Sequence, residues 1–238
     1  MMSSSNRCAL AVLTLVVCFV GPRAWSQDLQ VDGNLGAGDE KLPDTGEWFE
    51  VYEIELEAGE LLEVSMVSDE IDSYLMVIPP RGDSIENDDI EGESVDAHVL
   101  LVASVTGTYE IIATSSSPDE AGGYRLEANR FATKPVKKTA GSLSTEDEVS
   151  WKGGEYADRF ELVIPAGERR LVSITVAAFD AYISAHGSDG RHFRADDPAA
   201  ILLEAGEEGV TYTIVITSYE AKEVGDYVFD ILSVHEEL

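Results

Sequence analysis

The chain has 238 residues, with an apolar fraction of 44% and a charged fraction of 26%, both ordinary for one or two globular domains. Its charge balance is not ordinary: 46 acidic side chains stand against 16 basic ones, a formal net charge of −30. Such a field repels phosphate backbones and anionic headgroups, which argues against nucleic acid and against an anionic membrane face, and is compatible with divalent cations or a basic partner.

In chain order, Arg7 ends a short polar opening and Cys8 to Val20 is apolar. Gly21 and Pro22 break that run, and Ala24-Trp25-Ser26 sets small residues around a cleavage point before Gln27. This is the pattern of a secretory signal peptide over residues 1–26 and predicts a secreted or periplasmic protein. The apolar run falls short of the ~20 residues a transmembrane helix needs, so no membrane association is expected after cleavage. Both cysteines, Cys8 and Cys18, lie in this segment, so from Gln27 onward no disulfide, thiolate metal site or cysteine nucleophile is available. Cys18 also invites a lipoprotein reading, against which the bulky Val17 before it argues.

Residues Gln27 to Pro43 read as an extended, Gly- and Asp-rich lead-in. From Trp48 to Leu56, Glu53, Glu55 and Glu57 alternate with Ile54 and Leu56, the period of a strand with one wet face. Ala58-Gly59-Glu60 is a turn, and Leu61 to Val67 a second strand with Leu62, Val64 and Met66 on one face. Asp72 to Ile78 is a third, stopped by Pro79-Pro80. Arg81-Gly82-Asp83 is a turn, superficially an adhesion tripeptide, and Asn87-Asp88-Asp89 lies in an acidic loop. Val99 to Ser104, Tyr109 to Thr114 and Tyr124 to Ala128 complete the unit. Short strands at this spacing, without helical periodicity, predict a β-sandwich.

The plan then repeats. Gly59-Glu60, Ile71-Asp72-Ser73-Tyr74-Leu75, Gly82 and Asp88-Asp89 recur 108 residues later as Gly167-Glu168, Phe179-Asp180-Ala181-Tyr182-Ile183, Gly190 and Asp196-Asp197. After the Asp pair the offset falls to 103, so that Tyr109 matches Tyr212 and Gly122-Gly123-Tyr124 matches Gly225-Asp226-Tyr227. The expected division is a first sandwich over 27–130, a linker over 131–139 and a second sandwich over 140–238. The linker assignment rests on Lys134, Pro135, Lys137 and Lys138, a basic island between the copies.

Together these motifs resemble the bacterial pre-peptidase C-terminal domain family. The resemblance rests on Ala58-Gly59-Glu60, the Asp-x-Tyr strand, Asn87-Asp88-Asp89, Gly107-Thr108-Tyr109 and Gly122-Gly123-Tyr124, and on their second copies. The second copy departs at Ala195, where the first has Asn87, and in the spacing of Gly209 to Tyr212. The resemblance implies two tandem jelly-roll-like antiparallel β-sandwich domains that are non-catalytic accessory modules for an extracellular protein or polysaccharide. It also implies an association with calcium in related collagen-binding domains.

Asp72, Asp88, Asp89, Asp180, Asp196 and Asp197 are the candidate metal residues, since clustered carboxylates with loop carbonyls suit calcium. The competing reading is that Asp and Asn hold turns through neighbouring amides, and the spacing lacks the alternating carboxylates and closing Glu of calcium loops. The repeated tyrosines Tyr74, Tyr109 and Tyr124, with Tyr182, Tyr212 and Tyr227, could form an aromatic glycan platform; core packing with each hydroxyl reaching a backbone group is favoured. Trp48 and Trp151 could be exposed or cap an open sandwich end. His186 and His192 flank a turn and could touch, but without a third ligand they make a poor zinc site. No nucleophile elbow, zinc-protease helix or phosphate-binding glycine loop is present, so no catalytic residue, no enzymatic activity and no cofactor other than calcium is expected.

Overall fold

The structure is a computed structural model that describes residues 29–88, 96–150, 153–196 and 199–236. Residues 1–26, expected as a signal peptide, and Asp89, Trp151 and Asp197 lie outside the described residues. Among those residues the protein is all-β, with every strand pair antiparallel.

Eight strands come from the first repeat, β1 (Leu29–Leu35), β2 (Glu40–Lys41), β3 (Trp48–Leu56), β4 (Leu61–Val67), β5 (Ser73–Ile78), β6 (Ile85–Asn87), β7 (Ala97–Val102) and β8 (Gly107–Ser115), and β9 (Gly122–Leu143) runs from the first repeat into the second. The second adds β10 (Glu148–Val149), β11 (Tyr156–Ile164), β12 (Arg169–Ala177), β13 (Ala181–Gly187), β14 (His192–Ala195), β15 (Ala200–Glu204), β16 (Val210–Ser218) and β17 (Gly225–His235). Each repeat has its own five-stranded sheet, β2-β3-β8-β5-β6 in one and β10-β11-β16-β13-β14 in the other. The opposing layer is shared: one seven-stranded sheet in the order β15-β12-β17-β9-β4-β7, with β1 also paired to β9.

Alternation along the strands builds the two cores. In β4 the side chains of Leu62, Val64 and Met66 are fully buried against Leu75, Val77, Ile111 and Leu126, as the period-two pattern predicts. Val172, Ile183, Ile214, Tyr227 and Phe229 lie in the second core. Leu61 breaks the alternation by being buried as well. It faces Leu100, Phe131, Leu171 and Val234 in a third cluster, where the two repeats meet. The Arg169 guanidinium sits 4.3 Å from the Phe131 ring centre there.

Residues 131–139, expected as a linker, are instead the middle of β9, a 22-residue strand. Its first half pairs with β1 and β4 and its second with β17, from Gly225 opposite Leu143 to His235 opposite Ala132. The ladder is irregular where Pro135 lies opposite Leu232 and Lys137 opposite Ile231, which leaves Val136 as the extra residue. Pro has no N–H to give a ladder, and a bulge is where a strand tolerates it. Lys138 contacts Asp230 of β17 at 3.1 Å, one case of the basic island meeting an acidic strand.

The expected lead-in also turns out to be strand. Leu29 to Leu35 pairs with Ala128 to Gly122, and Lys137 to Leu143 is its counterpart 108 residues on. The matched glycines show why both are needed. Gly33 lies opposite Tyr124 and Gly141 opposite Tyr227. A Cβ would come within 2.2 Å of the Tyr124 ring at Gly33 and within 2.3 Å of the Tyr227 ring at Gly141. Each tyrosine ring therefore lies across bare backbone, which only glycine allows.

Candidate functional site

The Asp-x-Tyr strands act first through their backbones. The carbonyl of Asp72 accepts the N–H of Ser116 at 2.9 Å, and that of Asp180 accepts the N–H of Tyr219 at 2.7 Å, the same bond in each repeat. Asp72 is half-buried, whereas Asp88, Asp180 and Asp196 are exposed. Asn87 is a strand holder: its Oδ1 accepts the backbone N–H of His98 at 3.1 Å. Ala195, at the matched position, has no such group. Two aspartates that sequence reading passed over hold the turns after β1 and β9, Asp39 accepting the Gly36 N–H at 2.8 Å and Asp147 the Ser144 N–H at 2.6 Å.

In the first repeat the acidic residues gather around Tyr74. Its hydroxyl donates to Glu86 Oε2 at 2.7 Å. Burial, that bond and the nearby charges of Glu86, Asp88 and Glu47 push its ionisation well above the usual phenol range. Glu86 is held below its ordinary value by hydrogen bonds from Ser84 and Tyr74. Glu47 is only 8% exposed, and its Oε2 has no hydrogen-bond partner among the described residues. Its counterpart Glu155 is equally buried but accepts the Gly153 N–H at 2.9 Å. Among the described residues, no three His, Cys, Asp or Glu side chains converge as metal ligands.

The repeated tyrosines of β8, β9, β16 and β17 are core residues rather than a platform. Tyr109 donates to the Val105 carbonyl at 2.9 Å and Tyr212 to the Glu204 carbonyl at 3.0 Å, both rings fully buried. Tyr124 and Tyr227 reach carboxylates instead. Tyr124 donates to Glu50 and lies 2.7 Å from the Tyr52 hydroxyl, which also donates to Glu50 at 2.9 Å. Tyr227 donates to Asp158 Oδ2 at 2.5 Å. Burial raises all three phenols: Tyr52 to about 12, Tyr124 and Tyr227 further, with the neighbouring carboxylates adding to the effect. Glu50 and Asp158 are matched residues that the sequence reading did not single out. Their signal was an acid on the core-facing side, two positions before Tyr52 and Phe160 respectively.

Trp48 packs on the first core with the Lys41 ammonium 4.2 Å from its ring centre. Arg81-Gly82-Asp83 is an exposed bend with Gly82 at φ 106°. His186 and His192 pair directly across β13 and β14, with Nδ1 atoms 2.6 Å apart. No protein-family model matches this chain, and no curated protein matches it.

Proposed function

We propose that this is an exported, non-catalytic accessory or adhesion protein that binds an extracellular protein or polysaccharide through its two sandwich modules. The observation that carries the reading is the continuous β9, which fixes two copies of one scaffold to a single sheet. Two outer faces held in constant relation suit an extended or repeating target, because the second contact forms at high effective concentration. The motif resemblance to the pre-peptidase C-terminal domain family and the signal-like N-terminus support the same reading. The test is binding of the mature protein to immobilised extracellular polysaccharides and secreted proteins. Saturable binding without chemical change of the target is expected; reproducible turnover of a peptide, ester or glycoside by the purified protein would sink it.

A second reading, calcium-dependent structural or carbohydrate binding, is favoured by one feature, the unpartnered Glu47 oxygen near Tyr74, Glu86 and Asp88. Calcium bound at the Glu47 carboxylate, with water filling its remaining positions, would stabilise the folded state. Millimolar calcium should then raise the melting temperature, and Glu47→Gln should remove the rise. An unchanged melting temperature in the parent protein eliminates this reading.

A further inference from the structure

The hairpin β13–β14 carries a feature with no counterpart in the first repeat. His186 and His192 are direct cross-strand partners on the outer face of the second five-stranded sheet, where the matched positions hold Ile78 and Ser84. Their ring centres are 4.8 Å apart with planes at 72°, and the two Nδ1 atoms approach to 2.6 Å. At that distance one ring must donate a proton to the other, since two bare lone pairs would repel.

We propose that His186 and His192 form a bidentate surface site for a late first-row divalent metal ion, copper(II) or nickel(II), with water in the remaining positions. Metal–imidazole bonds of ~2.0–2.1 Å put two nitrogens about 2.9 Å apart at a right angle and about 3.4 Å apart in a tetrahedron. The present separation is close to the right-angled bite, which square-planar and tetragonal ions prefer, and well short of the tetrahedral one that zinc adopts. The change needed is an opening of the pair by a few tenths of an ångström, with the bridging proton moving to the outer nitrogen of its own ring. The antiparallel ladder fixes both Cα positions, so little chain entropy is lost on binding.

Electrostatics agree. Metal binding requires neutral imidazoles. The 2.6 Å approach of the two Nδ1 atoms already requires one of them to accept through a bare lone pair, so one ligand atom is free of a proton as the pair stands. The nearby Arg159 guanidinium is paired with Glu148 at 3.1 Å, which offsets its repulsion of an incoming cation. The net charge of −30 draws cations toward the whole surface.

The experiment is titration of the mature protein with copper(II), followed by calorimetry and by electron paramagnetic resonance, with nickel(II) and zinc(II) in parallel. One tight equivalent of copper showing nitrogen ligation is expected, with zinc the weakest of the three. His186→Ala and His192→Ala should each weaken copper binding by ~10–100-fold, because the tethered second imidazole acts at high effective concentration. Circular dichroism of each variant checks that the fold is kept, and His192→Gln serves if an alanine variant does not fold. Copper held only through oxygen ligands, or affinity unchanged in both histidine variants, would overturn the proposal.

Discussion

The two repeats share a frame and differ in how they satisfy it. Matched side-chain bonds recur at matched places: Thr114 donates to the Trp48 carbonyl as Thr217 does to that of Tyr156. Ser115 likewise donates to the Ser117 carbonyl as Ser218 does to that of Glu220. What differs is the polar core. The first repeat holds one carboxylate with two phenols, Tyr52 and Tyr124, on Glu50. The second replaces Tyr52 by Phe160, whose ring centre lies 4.9 Å from that of Phe229, and leaves Asp158 to Tyr227. The same backbone thus accepts a hydrogen-bonded trio or an aromatic pair, provided that the carboxylate keeps a donor.

The largest test asks whether the repeats are separable at all. Phe131 lies in the cluster between them and is 8% exposed. Phe131→Ala should cost about 3–5 kcal/mol, the range for emptying a buried aromatic site. With β9 common to both cores, the parent should unfold in one transition by denaturant, and the variant should shift that transition or split it in two. A parent protein that already shows two transitions, with the variant leaving both in place, would mean that the repeats are independent.

The polar difference gives the next test. Removing the Tyr227 hydroxyl leaves half-buried Asp158 without the donor it now has, and Tyr227→Phe should cost about 1.5–3 kcal/mol, typical for bonds to charged groups. Tyr124→Phe leaves Glu50 with Tyr52, and should cost about 1 kcal/mol. Chemical denaturation of the two variants decides the order, and the reverse order would mean that the trio is the more tightly coupled arrangement. The same phenols predict an alkaline limit. Below about pH 10 tyrosines are protonated in both folded and unfolded chains, so their contribution is complete. Above it the unfolded phenols ionise while Tyr52 keeps its proton to about 12, and Tyr124 and Tyr227 keep theirs longer. The unfolded state then binds fewer protons, so stability falls as pH rises through this window. Tyr124→Phe should flatten the fall, which thermal melts across the range would detect.

Much of the frame was legible because burial leaves a period-two trace. Leu62-x-Val64-x-Met66 and the recurrence at 108 residues give the face, register and copy number of the strands. The join was not legible, because Lys134-Pro135-Val136-Lys137-Lys138 has the composition of a solvated spacer. A strand exposed on one side with a bulge at Val136 tolerates that composition, so local chemistry favours a linker while tertiary pairing makes a strand. The usable signal was longer range. Gly33 and Gly141, Leu35 and Leu143, and Asp39 and Asp147 extend the 108-residue match upstream of Trp48, placing the start of the second copy inside the apparent linker. The candidate site was legible only as residue types. Asp72 and Asp88 pointed toward the acidic surroundings of Tyr74, but Glu47 and Glu86 reach them through packing and cross-strand pairing, which no local motif encodes.

The smallest expected effect isolates one atom pair. Asn87 Oδ1 takes the His98 N–H in the first repeat, and Ala195 stands at its place in the second, packed on the core. Replacing Asn87 by Ala leaves that amide to water at a half-buried site and should cost about 1 kcal/mol. Because the bond joins β6 to β7 across the end of the sandwich, its loss should act locally. Hydrogen exchange at the His98 amide should quicken, while amides of β13 to β15 in the second repeat, built without this bond, should keep their rates. Faster exchange in both repeats would show instead that the end of one sandwich is coupled through β9 to the other.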